Sequence, residues 1–555
     1  MGLSQSPSIW SLFAEPERTP TAGPSVTDLF TDTPPSESFR QGSQRSPCAR
    51  YFNEELVFWA MRNLPASEAV QHFLVCGSTG SGKTTAIQLF LQSIAPRFRG
   101  DRERPEQLII FDAKSELVSL LAGLGFAPTA ENVYLLNPDD ERGVVWDIGE
   151  AVQTPALARH FATLLIPEEP QSNAPFFPNS ARLLVYAVIL ALNTIAGTRW
   201  TFRDLLCALD SRRHIQAITN RHPPSARVVE PFLKDEKHFD AILSSVASKV
   251  GAFDQVAALW HSSRNRHRFS IPEFLARPGV LILSNDPVLK DSFWPVSAIL
   301  LKALTHEILR GAEVREPRHW FVFDEFPAMR NVECIKDLLD RGRSKGVSVL
   351  LGTQGVEHLN EVYGRDGAEA ILGQCAYKTF LRAGGPATAE WTQRYFGTRR
   401  QMESQWSESW GKDGHSASVQ YRVEERSVFT SSFFLNLPFP RAGGPYVAVN
   451  DVPCLGSTLI SRRWFDQLLS WRSKPAGVAN TIPRPNIKEQ TLWPWTPEEA
   501  AAFCGKAGSA SKSEPKQPEL PLESSAEPPA PEAADAPEAP KETGLMSRED
   551  LYGGG

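Results

Sequence analysis

No two of the seven cysteines in this 555-residue chain stand in a C-x-x-C spacing. Their odd number and scatter exclude a disulfide framework and a zinc ribbon, so they read as small buried hydrophobes of a reducing compartment. The opening MGLSQSPSIWSLFAEPERTP lacks the basic start and apolar run of a secretory signal. The longest apolar stretch, Leu183 to Ile195, falls short of the roughly twenty residues of a membrane span and is expected to be a core helix. A cytoplasmic chain without a transmembrane helix is therefore expected. Histidines show no metal-ligand spacing, so no histidine-bound metal centre is expected. Charge of one sign is lacking too: the net charge is −6, and residues 507–555 alone hold ten acids against four bases. The remaining neutral body neither demands nor excludes nucleic acid.

Composition divides the chain. Residues 1–48 are rich in Pro, Ser, Thr and Gly with few apolar positions, and are expected to form a disordered arm. From 505 to 555, Pro, Ala and Glu recur without period, as in an extended, self-repelling tail. Between them, seven short apolar runs read as buried parallel strands: 72–77, 108–113, 133–137, 279–285, 319–326, 347–354 and 377–383. Helix-like segments follow several of them, which is the α/β pattern. From 151 to 275 the alternation gives way to apolar positions at helical spacing, so an all-α inserted domain is expected between 49–150 and 276–500, the two parts of one sheet. Alternating residues within 400–450 suggest an antiparallel hairpin on the sheet's edge.

The strongest motif is Gly77-Ser78-Thr79-Gly80-Ser81-Gly82-Lys83-Thr84, which matches G-x-x-x-x-G-K-[ST], follows a strand and opens a helix beginning with Thr84 and Thr85. A loop of this composition wraps tightly enough for its N–H groups and the helix N-terminus to cradle the phosphates of ATP. Lys83 places a full charge on the β and γ phosphates, and the Thr84 hydroxyl ligates Mg2+. Asp324 and Glu325 close a second strand, expected next to the strand that leads into the loop: Asp324 is expected to hold Mg2+, largely through water, and Glu325 to act as general base on the attacking water. Gln354, leaving the strand VSVLLGT, is placed to sense the γ-phosphate or orient water. Arg343, in Gly342-Arg343-Ser344-Lys345-Gly346, is a candidate arginine finger acting on a neighbouring subunit's nucleotide. Asp112 and Lys114 also close a strand, either facing the site or capping a helix. The basic run Arg264-Asn265-Arg266-His267-Arg268 is either a phosphate contact or a solvated face.

Taken together, FLVCGSTGSGKTT, IIFDAKSEL, FVFDEFPAM, LLDRGRSKGVSVLLGTQGVEHLNEVYG and ILGQCAYKTFLR resemble the TraG/TraD coupling proteins of type IV secretion and conjugation. The likeness covers about 70–460. It implies a RecA-like P-loop ATPase domain capped by an all-α domain, assembled as a homohexamer that hydrolyses ATP at subunit interfaces. The resemblance also implies passage of single-stranded DNA, with its relaxase, towards a secretion channel, and links 319–450 to recognition of relaxosome proteins. Typical members begin with transmembrane helices, whereas this chain begins with a polar arm. Either a separate anchor protein recruits the chain to the inner face of the membrane or the chain moves DNA elsewhere, and the acidic tail is either a partner dock or a plain solubilising tail. Two other readings stay open on the sequence: a nucleotide-switched adaptor that recruits protein substrates, and a HerA/FtsK-type motor on double-stranded DNA.

Overall fold

The computed structural model describes residues 56–59, 62–100, 104–167, 176–263, 267–284, 290–330, 332–411, 414–441, 446–453, 456–462, 472–484 and 488–505. The amino-terminal arm and the acidic tail lie outside the described residues, as do Arg264, Asn265 and Arg266 of the basic run. Of the rest of that run, His267 stacks on Tyr134 at 5.1 Å and Arg268 pairs with Asp147.

Fifteen strands are formed by the described residues: β1 (Leu56–Trp59), β2 (Arg62–Pro65), β3 (Phe73–Cys76), β4 (Gln107–Asp112), β5 (Val133–Leu136), β6 (Val145–Trp146), β7 (Arg268–Phe269), β8 (Gly279–Ser284), β9 (Val314–Phe323), β10 (Lys345–Thr353), β11 (Tyr377–Phe380), β12 (Thr398–Gly411), β13 (Gly414–Ser427), β14 (Tyr446–Val452) and β15 (Gly456–Arg462). Nine make one sheet in the order β15-β14-β11-β3-β10-β9-β4-β8-β5. From β11 to β5 every neighbouring pair is parallel, and these seven strands coincide with the seven apolar runs of the sequence. Runs such as QLIIFD and GVLILS are buried at every position because both faces are covered. Alternation sends Leu74, Ile109, Phe111, Phe321 and Phe323 into one core and Phe73, Val75, Leu108, Ile110 and Trp320 into the other.

Between β6 and β7, which pair in parallel, every described element is helical. The helix Phe176–Ala196 is the axis of this bundle. It is long and apolar enough by composition to cross a membrane, yet Leu184, Val185, Val188, Ile189 and Leu192 are wholly buried against surrounding helices.

The expected edge hairpin needs correction. β12 and β13 do form an antiparallel hairpin, but they make a separate two-stranded sheet. The sheet's edge is formed instead by β14 and β15, added antiparallel to β11. The cause is burial: β14 carries an unbroken apolar start, Tyr446 to Val449, that fills both faces beside β11, whereas β12 and β13 alternate polar and apolar residues and have no core to enter.

A further stretch, described over 472–484 and 488–505, runs along the molecule. It begins on the helix Lys83–Ile94, where Arg472 donates to Gln88 and the Ser473 N–H to Gln92. It continues past Ser119, which exchanges hydrogen bonds with Ala476 and Asn480. Buried Arg484 then donates to the Asp140 carbonyl, and Trp495 Nε1 donates to Asp204 on the helical bundle at 2.7 Å. One strap thus ties the helix after the Gly-rich loop to the helical layer.

Candidate nucleotide site

β3 delivers the chain into the loop 77–82, and the helix Lys83–Ile94 carries it away. The loop turns at Gly80 (φ 76°) and Gly82 (φ 100°), both in the left-handed region that side chains avoid. At Gly82 a Cβ would stand 2.7 Å from the Tyr446 ring, so close approach as well as conformation demands glycine. The loop is pinned from outside: Gly77 N–H donates to Thr353 O (3.0 Å) and Ser78 N–H to Arg382 O (2.8 Å). Among the described residues, the N–H groups of Gly80, Gly82, Lys83 and Thr84 have no protein acceptor, which is the donor set a helix N-terminus offers to phosphate. The Ser78 and Ser81 hydroxyls are also buried without partners.

Asp324 and Glu325 follow the end of β9, and Gln354 follows the end of β10. The acidic strand was expected beside the Gly-rich-loop strand, but β10 lies between β9 and β3. Crossover helices, not sequence order, set that arrangement, and it puts Gln354 between the loop and the acids. Lys83 Nζ donates to Glu325 Oε2 at 2.7 Å and to the Asp324 carbonyl at 3.3 Å. Gln354 Nε2 donates to the same Glu325 oxygen at 2.7 Å, and Thr79 Oγ1 donates to Gln354 Oε1 at 3.0 Å. Four residues from three separate motifs of the sequence therefore form one hydrogen-bonded cluster.

Burial pushes the Asp324 carboxyl above its ordinary range, against the pull of Lys83 and Lys114. Its Oδ1 is buried with no hydrogen-bond partner. A buried carboxylate oxygen left open suits a hard divalent cation such as Mg2+. Asp112 answers both of its sequence readings. Its carboxylate accepts the N–H groups of Glu116 (3.0 Å) and Leu117 (2.8 Å), capping the helix Leu117–Gly123. Burial, and to a smaller degree the charge of Asp324, raise it to about 6.

Arg343 stands elsewhere. It is exposed on the turn before β10, at the amino end of the sheet, beside Arg315, Arg341 and Lys345. Lys345 to Thr353 spans about 26 Å at strand rise, so Arg343 is far from its own chain's Gly-rich loop.

Sequence reasoning missed the residues that cover the loop. Phe439 packs over Gly80, the Arg382 guanidinium lies 4.6 Å from the Phe439 ring, and Tyr446 closes on Gly82. Glu357, in the first turn of the helix Val356–Gln374 that follows Gln354, accepts the Thr388 hydroxyl, which in turn accepts the Val356 N–H at 2.9 Å. The only hint in the sequence is the proline-flanked aromatic in Leu437-Pro438-Phe439-Pro440.

Residues 59–459 match the family model described as the type IV secretion-system coupling protein DNA-binding domain. The coupling protein TraD of Escherichia coli (strain K12) is 24% identical over 393 residues, which are 68% of this chain and 52% of TraD. The chain thus spans about half the length of that relative. In the bacterial conjugative coupling protein TrwBdeltaN70, unbound monoclinic form, the fold recurs with a TM-score of 0.60 at 17% identity, over 79% of this chain and 93% of that one. The plasmid coupling protein TrwB in complex with ADP and Mg2+ gives a TM-score of 0.56 at 18% identity, over 78% and 93%. With more than half of its length inside the family model, this chain belongs to the type IV secretion-system coupling proteins.

Proposed function

We propose that the chain is an ATPase that moves DNA, in single-stranded form, to a type IV secretion channel. The observation that carries this reading is the cluster of Lys83, Glu325, Gln354 and Thr79 beside an unpartnered Asp324 oxygen and a row of free loop N–H groups. ATP is the nucleotide, held by Gly77 to Thr85, with Lys83 neutralising the β and γ phosphates. Thr84 and Asp324 would hold Mg2+, which would supply charge neutralisation to the phosphates. Glu325 takes the proton of the attacking water, and the Gln354 amide orients that water. Lys83 pairs with Glu325 at 2.7 Å, so a phosphate that draws the lysine to itself would free the base. TrwB bound to ADP and Mg2+, on the same fold, supports the choice of ligands.

A homohexamer is proposed because Arg343 lies at the far end of the sheet, where only a neighbour's nucleotide is within its reach. The relaxase and a membrane anchor at the inner face of the cell membrane complete the proposed partners, with 49–150 and 276–500 as motor and 151–275 as the inserted layer. The test is steady-state ATP hydrolysis at low salt with single-stranded, double-stranded or no DNA, with Glu325→Gln as blank. Stimulation by single strands, weakening with salt, is expected. Preference for duplex would replace the single-strand reading, and hydrolysis indifferent to DNA would defeat the motor.

A further inference from the structure

The β12–β13 hairpin has two unlike faces. The register pairs Met402 with Val423, Ser404 with Tyr421 and Trp406 with Val419, so these residues share one face. The opposite face pairs Gln401 with Glu424, Glu403 with Arg422 and Gln405 with Gln420, and is wholly polar. On the first face Met402 is 67%, Trp406 66%, Val419 51%, Tyr421 71% and Val423 60% exposed. Aromatic side chains each present roughly 150–250 Å², so the apolar patch is on the order of 600 Å². That is as large as the largest patch on an ordinary monomer. A two-stranded hairpin of this length is marginal in water unless one face is covered.

What covers it follows from charge and from the hairpin's root. Four arginines are balanced by four glutamates, and pairs such as Arg400–Glu425 (3.3 Å) and Arg426–Glu403 (2.7 Å) bind them to each other. A neutral surface of this kind lacks the positive field that draws nucleic acid. Trp, Tyr, Met and Arg around a polar rim are instead the composition of a protein interface, and zero net charge lets the equally neutral body of a neighbouring copy approach without repulsion. The root is stitched to the nucleotide site. Gln393 donates to Ser427 and accepts the Ser431 N–H at 2.7 Å. It lies on the helix Pro386–Phe396, whose Thr388 donates to Glu357 beside Gln354. The chain leaving the hairpin then places Phe439, itself 40% exposed, over Gly80.

We infer that the Met402–Trp406–Val419–Tyr421–Val423 face is the seat of a second copy of this chain, docked on the hairpin whose root is tied to the nucleotide site. The inference rests on the assembly proposed above and assigns its contact surface. Sedimentation velocity on the full chain, with and without a non-hydrolysable ATP analogue and Mg2+, reads it directly. Trp406→Thr/Tyr421→Thr keeps strand propensity and removes the aromatic anchors, while Gln405→Thr/Gln420→Thr changes only the polar face. Self-association at least 10-fold weaker in the first variant, and unchanged in the second, is expected. A wild type that stays monomeric to about 100 µM, or an aromatic-face variant that associates like wild type, overturns the inference. So does a face variant that loses only oligo-dT binding, which would make single-stranded DNA the occupant. ATP turnover is read separately: association through this face without hydrolysis would defeat the ATPase reading and leave this interface standing.

Discussion

The two ends of β10 were read from one continuous motif, GRSKGVSVLLGTQ, and the fold treats them differently. At the carboxyl end, Gln354 joins Lys83, Glu325 and Thr79 in a cluster closed by bonds of 2.7 to 3.0 Å. At the amino end, Arg343 is exposed among other cations, about 26 Å of strand away. A parallel strand collects function at its carboxyl end, where crossover loops converge. A residue at the other end serves the same chemistry only through a second molecule.

The largest expected effect breaks this comparison in the assembled state. Arg343→Ala should cost roughly 10³ to 10⁵ in turnover where copies associate, as an arginine supplied in trans does. At concentrations where the chain is monomeric it should change nothing, and an equal loss in monomers would place the residue's action within one chain. Next comes Glu325→Gln, for which hydrolysis should fall by roughly 10² to 10⁴ as a general base is removed. Nucleotide affinity, measured by fluorescence titration, should hold or rise because Lys83 loses its 2.7 Å competitor; weaker binding would contradict the idea that the pair opposes the nucleotide. Gln354→Ala should lower kcat by roughly 10² with unchanged affinity, the size of a lost transition-state donor, whereas a rise in Kd alone would make Gln354 a binding residue.

The smallest effect concerns the frame. His72, at the start of β3, accepts the Val349 N–H through Nδ1 (3.2 Å), and its Nε2 contacts Leu339 O (3.1 Å), which locks the neutral ring against β10. Burial lowers its pKa from 6.5 to about 4, and burial does the same to His319. The unfolded chain therefore binds more protons between these values, so the contribution is fully present above pH 6.5 and is lost as pH falls through 4. For His72 this is about 3 kcal/mol. Urea unfolding from pH 7 to 4 should show a shallower acid loss for His72→Gln than for wild type; parallel curves would remove the histidine from the account.

Legibility in the sequence followed locality. All seven parallel strands were visible because a strand buried on both faces is a continuous apolar run, as in LIIFD and VLILS. The Gly-rich loop was visible because its chemistry lies in eight consecutive residues. Strand order was not visible, so the acids were expected one strand too near β3, and the hairpin was assigned to an edge that β14 and β15 occupy. Phe439 and Tyr446 went unseen because each meets the loop from more than 350 residues away.

The sequence by itself determined the α/β alternation, the phosphate loop and the identity of the acids, since each depends on neighbours within a few positions. Only the tertiary structure decided that Gln354 stands between the loop and the acids, that Arg343 faces away, that 472–484 and 488–505 tie the sheet layer to the helical layer, and that the hairpin's apolar face stands open. Those outcomes depend on strand order and long-range packing, for which pairwise distance along the chain carries no local signal.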